Sequence, residues 1–231
     1  MKNMKYPGEE LEIFDKATIW RKYIYSMIKH YFKDNFLEVG AGIGSFTTNY
    51  CNNFKNITLC DLDKDNIQIL KKKFNQNKSI TVFDKRINEL EGKFNTIIYL
   101  NVLEHIQEDL HEINLALNKL NPGGHLVILV PAHQNLLGRF DKAVGHCRRY
   151  DINFFQLNKF KNAKVQKLIF LDLFGYILYF FNKFFFKDEV YPSKLKIFLW
   201  DKFFTPITII MDYITRYKLG KNILCVYKKI E

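Results

Sequence analysis

Positions 38–44 hold the residues best suited to chemistry: Glu38-Val39-Gly40-Ala41-Gly42-Ile43-Gly44 sets a carboxylate just ahead of a glycine-rich turn. Glycines in such a turn leave backbone N–H groups and open space against a ligand. The spacing is G-x-G-x-G, whereas a dinucleotide pyrophosphate site places its last glycine one residue later. An acid at this point repels a pyrophosphate and attracts a ligand with an α-amino group and a sulfonium. The plainer alternative is a turn needed only for close strand–helix packing. Asp61 follows 23 residues after Glu38, at the end of a second apolar run, where a carboxylate would accept both hydroxyls of an adenosine ribose. Asp63 and Asp65 compete for that role, or simply open the next helix, where acids are favoured. Asp84 ends a third run and suits an adenine amino group, or is a surface acid in a turn.

Two further segments carry reactive side chains. Glu104 and His105 adjoin the end of a fourth apolar run, but two ligands with Asn101 where a second acid would stand make a poor magnesium site, and no metal is expected. Their alternative roles are a helix-start acid and a partly buried, hydrogen-bonded histidine. The loop after a fifth run reads Pro131-Ala132-His133-Gln134 and then Gly138 to Tyr150, ending Gly145-His146-Cys147-Arg148-Arg149-Tyr150. Arg148, Arg149 and Tyr150 suit a phosphate or carboxylate, which arginine grips bidentately. His133 or His146 would accept a proton from a hydroxyl, with His105 close to the same edge. Alternatively the loop pins itself by an Arg–Asp141 pair.

The positioning elements follow from periodicity. Strands are expected at Asn35–Val39, Asn56–Cys60, Ser79–Phe83, Thr96–Leu100 and His125–Val130, with helices over 9–33, Phe46–Cys51, after Asp61 and Asp109–Leu120. Asn121-Pro122-Gly123-Gly124 reads as a turn. Alternating strands and helices, with several strands apolar on both faces, imply a parallel sheet covered on both sides. Ala163–Leu171 and Asn222–Lys228 supply a sixth and a seventh strand, with about fifty mostly helical residues between them. The expected fold is α/β: a Rossmann-like, doubly wound, mostly parallel seven-stranded sheet with a helical C-terminal insertion. It forms one domain over 1–231, with N-terminal helices in 1–34 and a cofactor core in 35–131. Residues 132–231 would then hold the substrate loop, the insertion and the last strand.

Taken together, Leu37 to Gly44, Asp61, Asp84 and Asn101-Val102-Leu103-Glu104-His105-Ile106 resemble the motif series of class I S-adenosylmethionine-dependent methyltransferases, over residues 10–150 and in the right order. The resemblance implies S-adenosyl-L-methionine as cofactor. Glu38, Gly40, Ala41, Gly42 and Gly44 would hold its methionine part and Asp61 its ribose. Leu62 and Val102 would flank the adenine, with Asp84 beside it and Asn101 along the cofactor. The segment at Asn101 lacks the Pro-Pro-aromatic motif of amino-methylating nucleic-acid enzymes of this fold. The Gly145–Tyr150 segment is similar to a G-H-x-R-R-Y signature of bacterial methyltransferases found with cell-surface glycan and lipid-linked sugar genes. The implied activity is methyl transfer to a small-molecule, sugar or lipid-linked acceptor, on oxygen before nitrogen or carbon. Its alternatives are an RNA or protein methyltransferase, a nicotinamide oxidoreductase, or a non-catalytic cofactor-binding subunit.

Composition narrows the partners. The net charge is +11, and residues 151–231 carry 14 basic and 7 acidic side chains against 21 and 17 in residues 1–150. The basic excess is therefore concentrated in the C-terminal third, interleaved with apolar runs, which fits nucleic acid poorly. Leu168–Phe186 approaches transmembrane length but is interrupted by Asp172, Asn182 and Lys183, and Leu195–Ile214 by Asp201, Lys202 and Asp212. Aromatics beside lysines suit an anionic membrane surface, a greasy substrate or a homodimer face. Four scattered cysteines and a polar start at Met1–Gly8 point to a cytoplasmic protein, with contact at the inner face of the membrane in the lipid-linked case.

Overall fold

In a computed structural model, residues 9–185 and 191–230 are described; Met1–Gly8 and Phe186 lie outside them. The strands β1 (Phe36–Val39), β2 (Ile57–Cys60), β3 (Ile80–Phe83), β4 (Phe94–Leu100) and β5 (Leu120–Pro131) pair in parallel. The strand β7 (Asn222–Lys229) runs antiparallel between β5 and β6 (Ala163–Leu171), so the sheet order is β3-β2-β1-β4-β5-β7-β6.

Side-chain alternation on these strands divides the core in two. Leu37, Ile97, Tyr99, Leu126, Ile128 and Cys225 pack with Ile113, Ala116 and Leu117 of helix α4 (Asp109–Asn118). Phe36, Ile98, Val127, Leu129 and Leu224 face the other way, onto Tyr23, Ile24 and Ile28 of α2 (Thr18–Ile28) and Leu70 of α3 (Lys64–Lys73). Each large apolar side chain so buried contributes about 1.5–3 kcal/mol. Two expected elements differ. The helix over Phe46–Cys51 is only a 3₁₀ turn, Thr47–Asn49, because the hydroxyl of Thr48 donates to Ser45 O and the amide of Asn49 to Phe46 O. Such side chains compete with the helical ladder. Asn121–Gly124 is a bulge inside β5 rather than a turn before it: Leu120 pairs with Phe94, and pairing resumes at His125 with Thr96.

Short helices α1 (Glu9–Phe14), α5 (Arg139–Ala143) and α6 (Ile152–Leu157) border the sheet. The insertion comprises α7 (Leu173–Phe185), α8 (Lys194–Leu199), a π-helical turn at Trp200–Phe204 and α9 (Thr205–Ile214). The acids that interrupt its apolar runs are buried fasteners. Asp212 accepts the backbone N–H of Asp172 at 2.8 Å and of Leu173 at 2.9 Å, and the hydroxyl of Tyr23 at 2.9 Å. Asp172 accepts from Gly175 N at 2.9 Å and lies 3.2 Å from the ammonium of Lys221. Asp201 accepts from Ile19 N and Trp20 N at 2.9 and 2.8 Å, closing the open start of α2. Among the described residues, no helix is long and apolar enough to cross a membrane.

Candidate active site

The glycine loop leaves β1 where the strand order reverses between β1 and β4, the crevice in which such sheets take ligands. Gly40 and Gly44 have φ of 66° and 71°, and a Cβ on either would come within 2.6 Å of Val102 Cγ2 or the Phe74 ring. Only glycine fits both the turn and its neighbours. Gly40 N and Ala41 N donate to Cys60 O, and Gly42 N donates to Asp61 Oδ2 at 2.7 Å. Asp61 is thus tied to the loop, its other oxygen accepting from Asp63 N at 2.9 Å and Asn66 Nδ2 at 3.3 Å. Asp63 caps α3, accepting from Asp65 N and Asn66 N, while Asp65 is an exposed acid in the first turn. Burial pushes the Asp61 carboxyl up, against the hydrogen bonds it accepts.

Glu38 lies beneath the loop. Its Oε2 accepts the hydroxyl of Thr47 at 2.6 Å and that of Tyr50, and burial pushes its carboxyl up to about 7. Leu62, beside Asp61, is an exposed leucine at 51%. Asp84 is exposed at the end of β3, and Asn101, with φ 54°, is exposed at the end of β4 next to Val102. Helix α1 and the turn after it cover the loop: a Cβ on Gly42 would sit 3.4 Å from the Leu11 side chain, and Ser45 Oγ donates to Asp15 Oδ1, just past the helix, at 2.5 Å. No sequence motif announces that cover.

The loop after β5 is organised by Asp141. Its oxygens accept from Gly138 N at 2.8 Å, Arg149 Nε at 2.9 Å, His146 Nδ1 at 2.8 Å and Tyr179 OH at 3.1 Å. Burial opposes the charge, yet His146 and Arg149 hold the carboxyl down at about 2. Arg149 is buried and its guanidinium lies 4.5 Å over the Tyr179 ring. Arg148 pairs with Asp109 at 2.7 Å, and the buried Tyr150 hydroxyl donates to the same carboxylate at 2.9 Å. Both arginines therefore already face carboxylates of the fold. His133 does not join His146: its ring lies parallel to that of Phe170 at 5.3 Å, and its Nε2 donates to Gly220 O at 2.9 Å. His105 and His146 do meet, edge-on at 4.8 Å, and the buried carboxyl of Glu104 lies 3.8 Å from His146 Nε2. Burial, then the neighbouring His146, lowers His105 to about 4. Sequence reading missed Thr47, Tyr50 and Asp109 as partners, and nothing in their spacing marks them.

The profile of the Methyltransferase domain family matches residues 19–163, and the chain belongs to that family. Its fold is that of the class I S-adenosylmethionine-dependent methyltransferases. The N-methyltransferase NodS from Bradyrhizobium japonicum WM9, solved with S-adenosyl-L-homocysteine, superposes with a TM-score of 0.62 at 14% identity, covering 98% of this chain and 100% of that one. An S-adenosylmethionine-dependent methyltransferase from Clostridium acetobutylicum ATCC 824 gives 0.61 at 15% identity, covering 96% and 98%. Coclaurine N-methyltransferase, solved with N-methylheliamine and S-adenosyl-L-homocysteine, gives 0.58 at 11% identity, covering 92% and 71%. No curated protein matches the chain in sequence.

Proposed function

We propose that the chain transfers a methyl group from S-adenosylmethionine to an oxygen of a small-molecule, sugar or lipid-linked acceptor. The observation that carries this reading is the cradle at the switch point: two glycines that admit no Cβ, Asp61 hydrogen-bonded to the loop, and the exposed Leu62 beside it. That combination fits an adenosine with an amino-acid tail. Glu38 and the loop from Gly40 through Ala41 and Gly42 to Gly44 would hold the methionine end, and Asp61 the ribose hydroxyls. Leu62 and Val102 would flank the base, with Asp84 and Asn101 at its rim. The cofactor brings an already activated methyl group, so the chain's own work is orientation and exclusion of water. On the acceptor side, His146 is oriented by Asp141 and faces Glu104, a polar pole where a hydroxyl would be received. Arg148, Arg149 and Tyr150 shape that loop through their pairs with Asp109 and Asp141, and His133 fixes it to Gly220.

A lipid-linked acceptor is favoured by the insertion. Leu195, Phe203, Ile210 and Ile214 are exposed at 65%, 59%, 60% and 71%, spaced by eight, seven and four residues along α8, the π-helical turn and α9. Exposed Lys194, Lys202, Arg216 and Lys218 flank that stripe. An amine acceptor is the second reading, since two of the similar structures are named N-methyltransferases. Methyl-labelled S-adenosylmethionine, incubated with the protein and a bacterial extract split into aqueous and organic fractions, tests both. Label in an organic-soluble product, placed on oxygen by mass spectrometry, is expected. Label on nitrogen would replace oxygen transfer with the second reading, and no protein-dependent label in either fraction would remove the proposal.

A further inference from the structure

The carboxyl of Glu104 is fully buried, and neither of its oxygens has a hydrogen-bond partner. An orphaned carboxyl in the interior is costly unless something else faces it. Two imidazoles do: His146 Nε2 lies 3.8 Å from Glu104 Oε1, and the His105 ring meets the His146 ring at 4.8 Å. One ligating atom from each of Glu104, His105 and His146 falls within 4.8 Å of the other two.

Both rings are held by their Nδ1 atoms. His146 donates to Asp141 Oδ1 at 2.8 Å and His105 donates to Gly145 O at 3.3 Å. Asp141 accepts on both oxygens, so the proton on that side of His146 belongs to the ring. A histidine whose Nδ1 donates to a carboxylate or a backbone carbonyl presents Nε2 as a ligand, the outer-shell arrangement found around bound transition metals.

We propose that Glu104, His105 and His146 form a binding site for a divalent cation of the zinc class. Two imidazole nitrogens and one carboxylate oxygen suit zinc or cobalt and suit magnesium badly. Around zinc, with bonds of about 2.0–2.2 Å, such ligand atoms stand roughly 3.4 Å apart, so each group moves inward by under about 1 Å. Three protein ligands leave a fourth position for water or an acceptor oxygen, whose acidity the cation would raise. That last role rests on the methyl-transfer reading, with His146 acting through the cation rather than as a free base; the cation site itself does not depend on it.

Untagged, metal-stripped protein titrated with Zn²⁺ by calorimetry and with Co²⁺ by visible absorption tests the site. One equivalent of Zn²⁺ should bind, and Co²⁺ should give the intense bands of a four-coordinate centre. Glu104→Gln, which keeps the side chain's shape, should weaken Zn²⁺ at least about 100-fold, and Asp141→Asn about 10–100-fold. Cys147→Ser should leave binding unchanged, and circular dichroism checks that each variant folds. Absence of stoichiometric Zn²⁺ binding by the wild-type chain would overturn the proposal. So would full binding by Glu104→Gln and His105→Asn, or loss of binding in Cys147→Ser. Binding of S-adenosyl-L-homocysteine, measured alongside, separates the two claims: Zn²⁺ bound without it leaves the cation site standing and removes the methyltransferase reading.

Discussion

Glu38 and Asp141 are both buried carboxyls, and their surroundings push them in opposite directions. At Glu38 burial outweighs the hydroxyls of Thr47 and Tyr50, and the group rises to about 7. At Asp141 the bonds from His146 and Arg149 outweigh burial, and the group falls to about 2. A carboxyl raised on folding binds its proton more tightly in the folded chain, so its contribution to stability is present below the ordinary carboxylate range and lost as pH rises through about 7. At about 1.4 kcal/mol per pKa unit the loss is about 3 kcal/mol, and it should appear as a wild-type melting temperature that falls between about pH 5 and pH 8 while Glu38→Gln stays flatter. Ligand affinity should run the other way. In the proposed placement the ammonium of S-adenosyl-L-homocysteine would favour the ionised Glu38 carboxyl, so calorimetry should show binding strengthening as pH rises through about 7, and not in Glu38→Gln. Asp61→Ala removes the partner of Gly42 N and, on the proposed reading, the ribose acceptor, and should weaken that ligand by about 10–100-fold, as hydrogen bonds to a charged group of about 1.5–3 kcal/mol imply. At this scale the cradle was legible because Glu38, the glycines and Asp61 are close in sequence. The pairing of Arg148 with Asp109 was not, because the partner lies 39 residues away on another element.

Among the elements, β6 is where it was expected although it is an edge strand that is exposed over residues 164–166, and β7 extends one residue further; the continuous apolar signature belongs to β7, a central strand buried on both faces. The helix expected at Phe46–Cys51 failed for a local reason, the competition of Thr48 and Asn49 side chains for the backbone. The cover formed by α1 and the turn after it was illegible for a long-range one, since its contacts with Gly42 and Ser45 join separate elements. Helix α2 shows the same limit. Ala17 at its start offers no side-chain cap, and Asp201 accepts from the first N–H groups instead. Asp201→Ala should cost about 1–2 kcal/mol of stability, as loss of a helix cap does. Hydrogen exchange at the Ile19 and Trp20 amides should rise ahead of exchange in the strands. Unchanged protection at those two amides would show that α2 is held by its packing alone.

For the whole molecule, the uneven charge and the apolar stripe on α8 and α9 belong together. Lysines beside exposed leucine, isoleucine and phenylalanine match an anionic bilayer, where each basic residue near the surface adds about 1 kcal/mol. Co-sedimentation with vesicles containing phosphatidylglycerol should exceed that with phosphatidylcholine alone and fall in the double variant Phe203→Asp and Ile210→Asp, while S-adenosyl-L-homocysteine binding stays unchanged. A dimer in light scattering that the same variant dissolves, with no vesicle binding, would assign the stripe to a second copy of the chain.

The two hydrogen bonds that start α2 link residues 182 and 181 positions apart. Strand β7 likewise lies between β5 and β6, both of which precede it in the chain. A growing polypeptide can therefore pair β1 to β5 and shape the glycine loop while α2 still lacks its anchor and β5 still presents an open edge. The start of α2, directly after the Leu11 and Asp15 cover of the loop, is anchored only once Asp201 has been made, so ligand retention should come late as such a chain is synthesised. Loosening the insertion afterwards takes the Asp201 anchor from the start of α2, near the other end of the sequence.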